Sequence, residues 1–272
     1  MKKLVFILLD GLHYQSAKEN LGYLEHLVEH KKCAKYTVIG ELPSASRPMY
    51  ETIFTGLPVY KHQITNNTIC RLSNKTSIFD LVKAAGCQSF AASYYWISEL
   101  YVKAPFDYYN DVILDDESKK IQKGFFYYED TFPDSHLYSI AHQHIIQEHP
   151  HFVFIHPMNI DDAGHKYGGE SKQYKESVLK NDTYLSSFIP QCMEDGYQVI
   201  VGSDHGMSEW GTHGGNGEIQ RQTALYIIGD HIENGEFHQP LHTLQMAPLM
   251  CYMFGLEPTQ DMERLEVIRD EK

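Results

Sequence analysis

Cysteine is scarce in this chain and follows no pattern. Cys33, Cys70, Cys87, Cys192 and Cys251 are scattered over 272 residues, odd in number, with no C-x-x-C pair. That argues against a disulfide framework and a thiolate zinc cluster, and leaves buried free thiols in a reducing compartment. Long apolar runs are also missing, since none reaches the roughly 18 residues of a membrane span. Met1-Lys2-Lys3 before an apolar run imitates a secretory leader. The run is short, however, and no small-residue cleavage site follows, so it reads as a first buried strand and the chain as cytoplasmic. Basic residues are outnumbered, 23 Lys and Arg against 36 Asp and Glu, for a net charge of −13. This balance speaks against a nucleic-acid or anionic-membrane surface. An anionic substrate would then need a local positive field of the kind bound cations supply. Repeats, low-complexity tracts and interdomain linkers are absent. With 42% apolar residues, the chain reads as one domain, 1–272, with a full core.

What the chain does have is alternation. Apolar runs at Leu4–Leu9, Tyr36–Ile39, Ser89–Ala92, Phe152–Ile155, Val199–Val201 and Ala224–Ile228 read as strands. Between them, helical spacing fits Leu21–Val28, Ser77–Ala85, Ser135–Glu148 and Tyr174–Met193. A further helix begins near Pro48, a residue suited to a first helical turn. Strands alternating with helices predict an α/β fold with a mostly parallel sheet in three αβα layers. Residues 94–132 are rich in Tyr, Phe and Asp with weak periodicity, and read as a small cap insertion whose aromatics either line a pocket or pack a surface excursion. His136, His142, His144 and His149 are placed on the solvated side of their helix, with no carboxylate motif beside them.

Three runs end in metal-ligand chemistry. Leu4–Leu9 leads into Asp10, Phe152–Ile155 leads toward Asp161 and His165, and Val199–Val201 leads into Asp204 and His205, with His213 close behind. Open α/β sheets bind ligands at the carboxyl ends of their strands. Two divalent cations about 4 Å apart can clamp both oxygens of an in-line displacement at phosphorus. Such a pair takes roughly six ligands, and His with Asp suits Zn or Mn. Ser46, in the loop Pro43-Ser44-Ala45-Ser46 before the helix, is a nucleophile placed where a helix N-terminus favours an alkoxide or a phosphoryl group. The same serine also fits a plain N-cap.

These motifs, taken in order, resemble the alkaline phosphatase superfamily, in particular its type I phosphodiesterase/nucleotide pyrophosphatase branch and the phosphoethanolamine transferases. Leu8-Leu9-Asp10-Gly11 is similar to the opening ligand motif. Ser46-Arg47-Pro48 with Thr55-Gly56-Leu57 resembles the nucleophile helix, and His62 and Asn67 fall at the family's H-G-I and phosphate-contacting Asn. Asp161 to Gly168, Ser203-Asp204-His205-Gly206-Met207 and Gly211-Thr212-His213-Gly214 resemble the remaining ligand motifs. Leu244–Pro248 and Phe254-Gly255-Leu256 resemble the closing helix. The resemblance implies an alkaline-phosphatase-like core and two divalent cations, Zn2+ or alternatively Mn2+. Asp161, His165 and His213 would hold one, and Asp10, Asp204 and His205 the other, with Ser46 bridging toward phosphorus and Asn67 contacting a phosphoryl oxygen.

Departures narrow the reading. Arg47 stands where nucleotide-cleaving members carry Phe, and a guanidinium there favours an anionic substrate. Ser-Arg-Pro and the early His213 look like the transferases. The motif lacks the closing Arg of sulfatases, which argues against formylglycine chemistry. Asp162 either orients a histidine or caps a turn. The expected activity is hydrolysis of a small-molecule phosphoester, of phosphodiesterase or pyrophosphatase type, through a covalent phospho-Ser46. Transfer to an alcohol or a mutase reaction on the same site is the alternative, and a metal-stabilised binding protein without turnover is the alternative of a different class.

Overall fold

The computed structural model describes residues 2–263 and Leu265. Its strands are β1 (Lys3–Leu8), β2 (Ala34–Ile39), β3 (Ser89–Tyr94), β4 (Ile113–Asp115), β5 (Lys123–Tyr127), β6 (Phe152–Ile155), β7 (Tyr197–Gly202), β8 (Gln222–Ile228) and β9 (Gly235–His242). Its helices are α1 (Tyr14–Asn20), α2 (Gly22–Glu29), α3 (Ser46–Thr55), α4 (Val59–His62), α5 (Ile78–Ala84), α6 (Trp96–Tyr101), α7 (Asp134–Glu148), α8 (Asn159–Tyr167), α9 (Lys172–Glu194), α10 (Glu218–Arg221) and α11 (Met246–Phe254).

The strands form one 9-stranded sheet in the order β4-β5-β3-β6-β1-β7-β8-β2-β9. From β5 to β7 the pairing is parallel throughout. β8 runs antiparallel to β7, and β2 antiparallel to β8, so the second reversal restores the original direction, which β9 shares. The carboxyl ends of β1, β2, β6 and β7 therefore open on one edge of the sheet. The expected α/β class and mostly parallel sheet are present.

Period-2 alternation divides the core. Leu4, Phe6 and Leu8 of β1 pack with α3, α5, α6 and α11 on one face. Val5, Ile7 and Leu9 pack with α1, α2, α7 and α9 on the other. Both faces are fully covered, which is why the central strands are continuous apolar runs.

Three differences from the sequence reading have physical causes. Segment 94–132 extends the sheet instead of capping it: β5 pairs with β3, and β4 pairs with β5. These strands are too short to show periodicity. β9 was also not expected; Pro240 interrupts its pattern, as an edge strand tolerates. His144 is not on a solvated face: its ring lies 3.9 Å from that of Phe90 on β3.

Helix α3 is buried on every side although it carries Arg47, Glu51, Thr52 and Thr55. Apart from Arg47 Nε, their polar side-chain atoms find partners within the protein, as burial requires. Glu51 accepts from Ser73 and, at 2.7 Å, from Tyr101. Thr52 Oγ1 lies 3.0 Å from His62 Nε2. Ile64 N–H donates to His62 Nδ1, which places the ring proton on Nε2 and makes His62 the donor to Thr52. α3 ends at Gly56, in the left-handed region at φ 64°.

Candidate active site

The segments after β1, β6 and β7 bring the six expected Asp and His residues together, and the one after β2 adds Ser46. Asp10 and Gly11 follow β1. Gly11 has φ +72°, and a Cβ there would sit 2.6 Å from Asp161 Oδ1, so only glycine lets the two loops approach. Asp161 and His165 lie four residues apart on α8 and so share a helix face. Asp204 and His205 follow β7, and His213 returns on the next loop. That loop is pinned against α8 at Gly168, where a Cβ would meet Glu209 O at 2.1 Å.

The three histidines are oriented alike. Nδ1 of His165 lies 2.9 Å from Gly211 O, that of His205 3.0 Å from Gly206 O, and that of His213 3.2 Å from Ser44 O. A carbonyl only accepts, so each Nδ1 carries a proton and Nε2 is the nitrogen each ring turns inward. His205 Nε2 lies 3.2 Å from Asp204 Oδ2 and 3.5 Å from Asp10 Oδ1. His165 Nε2 lies 3.3 Å from Asp161 Oδ2 and 3.2 Å from His213 Nε2. These carbonyls take the orienting role considered for Asp162, whose carboxylate instead pairs with Lys166 Nζ at 2.8 Å along α8.

Each carboxylate keeps one buried oxygen without a hydrogen-bond partner: Asp10 Oδ1, Asp161 Oδ1 and Asp204 Oδ2. Donor atoms from Asp161, His205 and His213 fall within 4.8 Å of one another, as do those from Asp10, Asp204 and His205. Buried anionic oxygens and unprotonated nitrogens facing one another are unstable without positive charge. Burial, and then the charge on Asp10, push the Asp161 carboxyl up; burial with Asp10 and Asp161 pushes Asp204 well up. At Asp10 burial acts the same way, but the His156 hydrogen bond and the nearby imidazoles prevail and hold it at about 2. The Asp161 contact raises His165 to about 9, whereas burial and His205 lower His213 to about 4. Oxygen and imidazole donors that cannot all be ionised and unprotonated together fit divalent cations of the Zn or Mn type.

Ser46 is the first residue of α3. Its Oγ lies 3.0 Å from His205 Nε2, against the ligand cluster. Ala45 gives the helix no side-chain cap. Arg47 N–H donates to Asn67 Oδ1 at 3.0 Å, which fixes the amide of Asn67 beside Ser46 and leaves its NH2 free of protein partners among the described residues. The Arg47 side chain is turned into the protein. It pairs with Glu99 at 2.7 Å, donates to Ile69 O at 2.9 Å and stacks 4.6 Å from the Trp96 ring. This guanidinium is held internally and has the loop carrying Asn67 as its scaffold.

Two residues at the site escaped the sequence reading. Tyr50 OH and His156 Nε2, the latter at 2.8 Å, both meet Asp10 Oδ2. The signal for His156 was available: it continues the Phe152, Phe154 alternation one step past β6, on the face that Leu8 and Asp10 share. Tyr50 read as an ordinary core aromatic.

Known proteins share the family and the fold. The family model described as type I phosphodiesterase / nucleotide pyrophosphatase matches residues 4–225. GPI ethanolamine phosphate transferase 1 of Emericella nidulans is 30% identical over 151 residues, covering 44% of this chain and 16% of that protein. GPI ethanolamine phosphate transferase 2 of Kluyveromyces lactis is 22% identical over 242 residues, covering 85% of this chain and 29% of that protein. The chain thus spans less than a third of these curated relatives. Murine ectonucleotide pyrophosphatase / phosphodiesterase 5 shares the fold with a TM-score of 0.77 at 13% identity, over 97% of this chain and 98% of that one. An inactive form of the murine protein in complex with AMP gives a TM-score of 0.76 at 14% identity, over 97% and 98% of the two chains.

Proposed function

Since the chain belongs to the type I phosphodiesterase / nucleotide pyrophosphatase family, within the alkaline phosphatase superfamily, we propose that it is a phosphoester hydrolase working through Ser46 and two divalent cations. The observation that carries this reading is the convergence of unpartnered Asp10 Oδ1, Asp161 Oδ1 and Asp204 Oδ2 with inward-facing imidazole nitrogens, against Ser46 Oγ. Asp161, His165 and His213 would hold one cation, and Asp10, Asp204 and His205 the other. The shared position of His205 between the two clusters makes the pair contiguous. Zn2+ suits this donor set, with Mn2+ second. When bound, the cations would favour the ionised Ser46 hydroxyl, neutralise charge on the leaving oxygen and acidify water.

The residues of the chain do the rest. Ser46 Oγ forms a bond to phosphorus as the bond to the leaving oxygen breaks, and that oxygen takes a proton from solvent. Water then forms the new P–O bond, the P–Oγ bond breaks, and Ser46 recovers its proton. The Ser46 amide at the start of α3 and the NH2 of Asn67 would hold the equatorial oxygens. Arg47 serves by fixing Asn67 through its backbone N–H. A small-molecule phosphoester in the cytoplasm is the substrate setting we infer. Free thiols at Cys33, Cys70, Cys192 and Cys251 support a reducing compartment. Among the described residues no helix is long and apolar enough to cross a membrane.

The transferase names of the curated relatives favour one second reading, delivery of the phosphoryl group to an alcohol. Product analysis separates the two. Incubation with a chromogenic diester and an added amino-alcohol gives the monoester of water alone if the enzyme is a hydrolase. A new ester of the amino-alcohol identifies a transferase.

A further inference from the structure

Asp10 is held differently from the other two carboxylates. Asp161 meets His165 on its own helix and Asp204 Oδ1 accepts from the backbone of Gly11 at 3.3 Å, whereas Asp10 Oδ2 receives two side-chain donors from separate elements: Tyr50 OH from α3 and His156 Nε2, at 2.8 Å, from the end of β6. All three side chains are buried, His156 and Asp10 at 0% exposure and Tyr50 at 0%. We infer that His156 and Tyr50 are positioning residues that occupy Asp10 Oδ2, so that Asp10 offers a cation Oδ1 alone. This rests on the two-cation reading.

The protonation pattern follows from the contacts. His156 Nδ1 is buried and has no hydrogen-bond partner. A proton on Nδ1 would be stranded there, and Nε2 would set a lone pair against a carboxylate oxygen. The Nε2–H form makes the hydrogen bond and leaves only an acceptor unmet, the milder defect. The ring is fixed on both sides. It stacks on Phe154 at 5.8 Å and takes the edge of Tyr50 at 4.9 Å. Its backbone is held by Tyr127 OH on His156 O at 2.6 Å and by its own N–H on Ala92 O at 3.0 Å. A ring so constrained can aim one N–H at one oxygen.

The consequence is a monodentate ligand. With Oδ2 engaged twice, Oδ1 is the free oxygen, and it lies 3.5 Å from His205 Nε2 within the Asp10–Asp204–His205 group. Tyr50 adds a link to the nucleophile. It sits one helical turn after Ser46 on α3, so the serine and the Asp10 ligand are set by one rigid element. Partners of this kind orient metal ligands, and their loss costs about 10–100-fold in metal affinity.

The test is Zn2+ binding to metal-free protein, in competition with a chromophoric chelator, for wild type, His156→Phe, His156→Gln and Tyr50→Phe. Phe keeps the ring and its stacking but removes the donor, while the Gln amide nitrogen restores a donor near the Nε2 position. Wild type should take two equivalents. His156→Phe and Tyr50→Phe should retain one equivalent unchanged and weaken the other by about 10–100-fold, with His156→Gln recovering most of the loss. Circular dichroism confirms that each variant is folded, and if His156→Phe does not fold, Tyr50→Phe carries the test. Folded variants that bind two equivalents as tightly as wild type would overturn this inference and leave the two-cation reading standing. A wild type that binds no Zn2+ or Mn2+ would overturn both.

Discussion

Ser46 Oγ and His205 Nε2 lie 3.0 Å apart, although they are 159 residues apart in sequence. His205 Nδ1 is committed to Gly206 O, so Nε2 faces the serine as an acceptor. Ser46 thus lies against the Asp and His cluster, where the segments that follow β2 and β7 come together.

Replacing this serine separates chemistry from binding. Ser46→Ala removes the attacking oxygen and leaves the Asp and His donors in place. Turnover should fall by at least about 1,000-fold, as losses of a nucleophile do, while bound cation per protein, measured by atomic emission, stays at the wild-type level.

Cation removal should destabilise the fold, with a defined pH dependence. Asp161 and Asp204 have raised pKa values in the cation-free protein. A carboxyl whose folded pKa is raised contributes stability at low pH that is lost as pH rises through that value. In chelator-treated protein the contribution of these two carboxyls should therefore fall from acid to neutral pH, opposite in sign to that of His213, and comparison with Asp204→Asn isolates it. Restoring Zn2+ at 100 times its Kd should return about 2.7 kcal/mol per site. Thermal melts across pH, with and without chelator, check this.

The cluster of Asp and His side chains was legible in the sequence because its members lie just after, or a few residues beyond, strand-like runs, and strand ends in such sheets gather ligands. Arg47 was harder to read. Its placement in the nucleophile motif suggested a substrate contact, but the guanidinium is satisfied by Glu99, a residue from the aperiodic 94–132 segment that gave no signal of where it would lie. Tyr50 was illegible for a related reason: a tyrosine on an all-buried helix looks like core, and the alternation that carries His156 to the face of Asp10 names no partner for it until three-dimensional contact joins the three.

The Arg47–Glu99 pair gives a stability prediction. Both side chains are nearly fully buried, and Glu99 also accepts from Phe106 N–H at 3.0 Å and Cys70 Sγ at 3.1 Å. Removing one member leaves an uncompensated buried charge, which costs about 3–5 kcal/mol. Glu99→Ala should lower the unfolding free energy measured in urea by that amount. Where the variant stays folded, it should also raise KM, because the scaffold of Asn67 loosens.

Asp134 supplies a titration outside the site. Burial pushes its carboxyl up from 3.8 to about 6, against the opposing hydrogen bond from Asn181. The folded state holds this proton more tightly than the unfolded chain, so the stabilisation is complete below about pH 4 and is lost as pH rises through about 6. The span corresponds to roughly 3 kcal/mol. Asp134→Asn keeps an acceptor for the Asn159 amide and removes the titration. Subtracting its stability profile from that of wild type should isolate a fall between pH 4 and 6; parallel profiles would contradict the assignment.

The most direct measurement is hydrolysis of bis-p-nitrophenyl phosphate and p-nitrophenyl phosphate by protein loaded with Zn2+ or Mn2+, run beside Ser46→Ala carrying the same cation load. The account predicts cation-dependent release, faster from the diester, and none from the variant despite its two bound cations. Release by Ser46→Ala at the wild-type rate would contradict it.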